Sequence, residues 1–129
     1  MKYLGGYHCG NIEFEVEAPE QLVVFDCNCS ICSQSGFLHY IVPKSKFRLL
    51  KGEQELSCYQ FGTGVAQHLF CRTCGIKSFY IPRSNPDGID VNVRCLSPQP
   101  KTIAITPFDG QNWEKEAGQL THLSREIDT

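Results

Sequence analysis

The sequence predicts a mainly β domain of many short antiparallel strands. Three observations carry this. Apolar residues recur at every second position along most of the chain, the period of a half-buried strand. Pro43, Pro82 and Pro107 each close an apolar run, as residues without an N–H do at strand ends. Helix signals are almost confined to one stretch near the C-terminus. The cleanest alternation is Ile12, Phe14, Val16 and Ala18 against Glu13, Glu15 and Glu17. Residues 22–25 form a continuous apolar run that leads into Asp26 and Cys27. Strands are expected next at residues 37–42, 56–61, 67–70 and 78–81. Ile89, Val91, Val93 and Cys95 then alternate with Asp90, Asn92 and Arg94, and residues 101–106 make the last strand. Asn112 is placed to cap a short helix over 113–117, stopped by Gly118. From about Leu120 the residues are polar and read as a loose tail.

Composition sets limits on function. A chain of 129 residues makes one domain, 1–129, with a packed core over about 5–114 and a C-terminal tail at 115–129. With 41% hydrophobic and 20% charged residues it is not disordered throughout. A net charge of -2 argues against nucleic acid held by bulk electrostatics. No signal-peptide core follows Met1, and no apolar run approaches the roughly 20 residues that span a bilayer. The expected location is the cytosol, where thiols stay reduced, with no membrane contact. Against this background the 8 cysteines stand out.

Six of the cysteines are clustered. Cys9 lies in Tyr7-His8-Cys9-Gly10, Cys27, Cys29 and Cys32 form a C-x-C-x-x-C run, and Cys71-Arg72-Thr73-Cys74-Gly75 is a C-x-x-C-G knuckle. A C-x-x-C turn sets two sulfurs about one metal ion apart, and a following glycine permits the positive φ such a turn needs. A thioredoxin-like redox pair wants a βαβ context, which this chain lacks. Three thiols within six residues can hold one face of a tetrahedron and leave the fourth position open, as catalytic zinc does. A closed structural site completed by Cys58 or Cys95, and reduced spectator thiols, are the other readings. Cys58 and Cys95 lie in strand-like runs and read as core, as do Phe14, Phe25, Phe70, Phe79 and Trp113.

The ordered set His8-Cys9-Gly10, 25–32, Ile41-Val42-Pro43, 49–52, Ala66-Gln67-His68, 71–75, 82–86 and Asn112-Trp113-Glu114 resembles the glutathione-dependent formaldehyde-activating enzyme (Gfa) family, and within it the centromere protein V branch. The resemblance implies a compact Mss4-like zinc-binding β fold with two zinc sites. The structural one would use Cys9, Cys71 and Cys74, and the catalytic one Cys27, Cys29 and Cys32. It also implies carbon–sulfur lyase activity on a thiol such as glutathione and its formaldehyde adduct. The alternative is a non-catalytic zinc module that binds glutathione, protein or nucleic acid. The family usually carries a further cysteine where this chain has Tyr7. If residues 7–9 are extended, Tyr7 points at the structural site and His8 away. Three outcomes follow: His8 or His68 substitutes, water or a remote thiol completes the tetrahedron, or the site binds weakly.

Glutathione carries two carboxylates, so Arg83, Arg94, Lys77 and Lys44 are the candidate cations of a substrate pocket. His39 and His68 are candidates for a proton shuttle or for support of the metal ligands, beside the plainer reading of strand histidines with a hydrogen bond.

Overall fold

The computed structural model describes residues 1–125. The elements run β1 (Lys2–Gly6), β2 (Glu13–Glu17), β3 (Gln21–Cys27), α1 (Ser30–Ser35), β4 (Leu38–Pro43), β5 (Phe47–Lys51), β6 (Leu56–Tyr59), β7 (His68–Cys71), β8 (Phe79–Tyr80), β9 (Gly88–Asn92), β10 (Leu96–Ser97), β11 (Thr102–Phe108) and α2 (Trp113–Glu116). They form a four-stranded sheet ordered β10-β1-β2-β5, a five-stranded sheet ordered β11-β3-β4-β9-β8, and the hairpin β6-β7. The mainly β expectation holds. The strands were expected to be antiparallel; of the eight pairings among them seven are, and one is not, because β11 runs parallel to β3 from Thr102↔Gln21 to Phe108↔Cys27. Alternation reports which face is buried and carries no strand direction.

The period-two pattern becomes the main core. In β2 the side chains of Phe14 and Val16 are fully buried while Glu13 and Glu17 face out. Fully burying a side chain such as Phe14 contributes roughly 2–3 kcal/mol. Its ring lies across β1 at Gly5, its register partner. A Cβ there would fall 2.0 Å from the ring, so only glycine fits. Phe14 also stacks on Phe47 and meets Phe79 edge-on, which joins β5 and β8 to the same cluster.

Several expectations need correction. Strands β1 and β5 lack a strong alternation and were not expected. The alternation through 89–95 placed Asp90 and Asn92 on a solvent face, but β9 is central in its sheet and all five of its residues are buried. Pro107 does not end its strand; it sits inside β11, an edge strand, where a missing N–H is tolerated. Phe70 is half-buried outside both core clusters. Cys58 is exposed on β6, not core, because the two-stranded hairpin has no second layer over that residue; Cys95 is half-buried. The helix at 113 forms, but Asn112 does not cap it: its side chain donates to Asp109 Oδ2 at 2.6 Å. Gly118 does not stop it either, since a 3-10 turn continues over Ala117–Gln119. Nor is the chain loose from Leu120. Leu120 and Ser124 are buried, and Asn85 Nδ2 donates to Leu120 O (2.8 Å) and Ser124 Oγ (2.9 Å). The rest of that tail, 126–129, lies outside the described residues.

Candidate active site

The strand β3 ends at Cys27, and the chain turns at once into α1. This six-residue helix has no apolar period and is made by local bonds. Cys29 is its N-cap, with Sγ accepting from the Cys32 N–H at 3.4 Å, and Gly36 closes it with φ 66 and an N–H to Cys32 O. The turn brings Cys27, Cys29 and Cys32 together, with their sulfurs all within 4.8 Å of one another. Gly110 packs against them so closely that a Cβ would lie 2.3 Å from Cys27 Sγ. The cluster shares its protons unevenly. Hydrogen bonds from Cys27 and Cys32 hold the Cys29 thiol far below its ordinary pKa, at about 2, while hydrogen bonding to Cys27 and Cys29, then burial, push Cys32 upward.

These three thiols open onto a cavity of about 440 Å³. Its wall holds both histidines singled out from the sequence. His39 on β4 is 5% exposed, and its Nδ1–H donates to Asp90 Oδ2 at 2.6 Å. That bond leaves Nε2 buried and without a partner among the described residues. His68 on β7 is sandwiched between Phe61 (centroids 5.4 Å, planes 19° apart) and Tyr80 (5.0 Å, 17°). Lys77 Nζ donates to His68 Nδ1 at 2.7 Å. Burial, reinforced by that cation, lowers the His68 pKa to about 4, so the ring is neutral and its Nε2 carries the proton.

Of the four candidate cations only Arg83 reaches the cavity wall. Its guanidinium lies 3.7 Å over the Trp113 ring and pairs with Glu114. Lys77 stands behind His68, with Nζ 3.8 Å from the Tyr80 centroid, and Lys44 and Arg94 are exposed elsewhere. Phe25 and Trp113, expected as core, pack on the smaller core cluster and line the cavity as well. Two residues were missed outright. Asp90 follows the alternation of a surface polar residue, and nothing in the local pattern marks it as buried in β9. Gly110 gave no signal, because its role is to leave space against a residue 83 positions earlier.

Cys9, Cys71 and Cys74 form a second cluster, again with sulfurs within 4.8 Å of one another, and Cys9 and Cys71 are 3.5 Å apart. The knuckle closes as its glycine predicts: Gly75 has φ 77 and its N–H donates to Cys71 O at 2.8 Å. At Cys74 burial raises the pKa, but hydrogen bonds from the Ile76 and Cys9 backbone and from the Cys9 and Cys71 thiols outweigh it and bring the thiol down to about 7. Residues 7–9 are not extended; Gly10 N–H donates to Tyr7 O and makes a turn. Tyr7 is buried edge-on to Phe79, its hydroxyl has no partner among the described residues, and burial raises its pKa. A neutral phenol is no substitute for thiolate. His8 is exposed and His68 belongs to the cavity, so neither completes this cluster. Neither Cys58 nor Cys95 joins either cluster among the described residues.

The donor chemistry fits zinc at both places. Tetrahedral zinc with bonds of about 2.3 Å sets sulfurs roughly 3.8 Å apart, and both triads lie within small adjustments of that spacing. The fold and site thus define a class: a β domain with two three-thiol clusters, one of them opening into an apolar cavity. The chain belongs to the glutathione-dependent formaldehyde-activating enzyme family, whose model matches residues 2–113. Among solved structures it is similar to a Rhodobacter sphaeroides protein from a structural genomics programme. That protein is 38% identical, with 82% of this chain and 100% of that chain covered and a TM-score of 0.70. Among the described residues no helix is long and apolar enough to cross a membrane.

Proposed function

We propose that this protein is a zinc-dependent carbon–sulfur lyase that interconverts a thiol plus an aldehyde with their S-hydroxyalkyl adduct. The family points to glutathione and formaldehyde as the reactants. The observation that carries the reading is the shared cavity: three thiols with no fourth protein donor among the described residues face the same space as an Asp90-held histidine and a cation.

Cys27, Cys29 and Cys32 would hold the ion. Bound there, zinc supplies a soft positive centre that keeps a substrate thiol deprotonated at neutral pH. The chain's own groups do the rest. In the cleavage direction His39 Nε2 accepts the adduct's hydroxyl proton as the C–S bond breaks and the carbonyl forms; the sulfur leaves with the bonding pair. Asp90 fixes the imidazole tautomer that leaves Nε2 free for this task. His68 presents an N–H to the carbonyl oxygen and, being neutral, does not compete with it for the proton. The reverse sequence forms the adduct. Atoms and electrons balance without an oxidant or reductant.

Measuring adduct breakdown by proton NMR tests this. Wild-type protein should accelerate it above the spontaneous rate and Cys29→Ser should return it to that rate. Equal rates for the two proteins would sink the lyase reading.

A further inference from the structure

The cavity wall narrows the substrate class, an inference that rests on the lyase reading above. Of the 12 lysines and arginines in the chain, Arg83 alone lines the cavity. Its partner Glu114 is 80% exposed, so the pair is well screened and an incoming carboxylate can displace it. The other formally charged side chain on the wall is a carboxylate, Asp90, and Lys77, held behind His68 with Nζ 2.7 Å from His68 Nδ1, does not reach the cavity. Three thiolates about a divalent ion add a further formal charge of about −1. Glutathione brings two carboxylates. One finds Arg83; the second would meet no cation in the cavity and only neutral donors such as Ser30, Thr63 and Gln111, which is costly for a desolvated carboxylate. Most of the remaining wall is apolar, formed by Phe25, Ile31, Ile41, Phe61, Phe108 and Trp113. Phe61 is 48% exposed at the edge of this wall, on the turn between β6 and β7. A space of about 440 Å³ so lined offers the one carbon of formaldehyde little to touch.

We propose that this site takes a thiol–aldehyde adduct bearing one carboxylate and one bulky apolar group, preferably aromatic, in place of a doubly carboxylated peptide thiol. The carboxylate replaces Glu114 on Arg83, and the apolar group lies against Phe108 and Trp113. That group arrives either on the thiol or on the aldehyde. The reaction is unchanged: the C–S bond breaks, the hydroxyl proton is lost, the carbonyl forms and the sulfur recovers a proton.

Calorimetric titration of the zinc-loaded protein with glutathione, 4-(mercaptomethyl)benzoate and benzyl mercaptan tests the thiol side. Breakdown rates of the 3-mercaptopropionate adducts of formaldehyde and of phenylacetaldehyde test the aldehyde side. The aromatic monocarboxylate thiol should bind roughly tenfold tighter than glutathione, or the phenylacetaldehyde adduct should break down roughly tenfold faster than the formaldehyde adduct. Arg83→Gln should weaken the carboxylate probe roughly tenfold and leave benzyl mercaptan unchanged. Glu114→Gln, at an exposed position, should strengthen the carboxylate probe about threefold by removing its competitor. Glutathione binding as tightly as the aromatic thiol, together with no preference between aldehydes, overturns the proposal and leaves the lyase reading standing. Selective aromatic binding without breakdown of any adduct overturns the lyase reading and keeps the pocket assignment. Binding of no probe overturns both.

Discussion

Replacing Gly110 with alanine is the sharpest structural test of the cavity cluster. Gly110 is buried and its φ is not positive, so what selects glycine here is space and not backbone conformation. The new Cβ would stand 2.3 Å from Cys27 Sγ, 2.9 Å from Cys29 Cβ and 3.2 Å from Cys29 N. An ordinary carbon–sulfur contact is about 3.7 Å, so Cys27 Sγ must retreat by roughly 1.4 Å or the loop must back away. Overpacking of this kind costs about 1–3 kcal/mol, which a domain of this size survives. Metal ligation tolerates only about 0.2 Å. Gly110→Ala should therefore keep its circular dichroism spectrum and lose roughly 10²-fold in zinc affinity at one cluster. Elemental analysis after desalting against a weak chelator should find zinc per chain reduced by one. The Cys9, Cys71 and Cys74 cluster serves as the internal control, since Gly110 packs on Cys27 and Cys29. A variant that keeps its full zinc content at wild-type affinity would refute the reasoning.

Three further outcomes are expected. His39→Gln should lower the turnover of adduct by roughly 10²–10³-fold with zinc content unchanged, since it removes the proton acceptor and no ligand; a variant within twofold of wild type would remove His39 from the mechanism. His68 has a folded pKa of about 4 against 6.5 unfolded. The unfolded chain takes up that proton first as pH falls, so the contribution, on the order of 3 kcal/mol, is complete above about pH 6.5 and lost as pH falls through about 4. Urea unfolding of metal-free protein should show this slope in the wild type and lack it in His68→Gln; an unchanged slope in the variant would contradict the assignment. Tyr7→Cys should lower metal-free stability by roughly 3 kcal/mol through loss of the buried ring. It should also slow zinc transfer from the second cluster to a chelator by about tenfold; transfer at the wild-type rate would mean that a fourth thiol at this position cannot reach the ion.

Both thiol triads were legible in the sequence because short spacings place most of their members: C-x-C-x-x-C holds three ligands within one turn, and C-x-x-C-G holds two. Cys9 could be attached to its knuckle only through the family pattern, since 62 residues separate it from Cys71. What stayed hidden depends on three-dimensional neighbours. Asp90 follows the alternation of an outward residue, yet its strand lies between β4 and β8 and is buried on both faces. Arg83 and Arg94 are alike as residues; only the fold sets one over Trp113 and the other in solvent. The parallel pairing of β11 with β3 joins segments some 80 residues apart, and no local pattern encodes its direction. Tyr7 shows the opposite case. Its departure from the family pattern is plain in the sequence, and the structure adds that the phenol is packed as core.

The claim at the centre of this reading is that the Cys27, Cys29 and Cys32 cluster works as a metal centre for C–S chemistry. It is tested most directly by following adduct breakdown with one preparation in three states: zinc-loaded, stripped by chelator, and reloaded. Acceleration that is lost on stripping and restored by about one equivalent of zinc is the predicted result. A stripped protein as fast as the loaded one, at equal folded fraction, would contradict it.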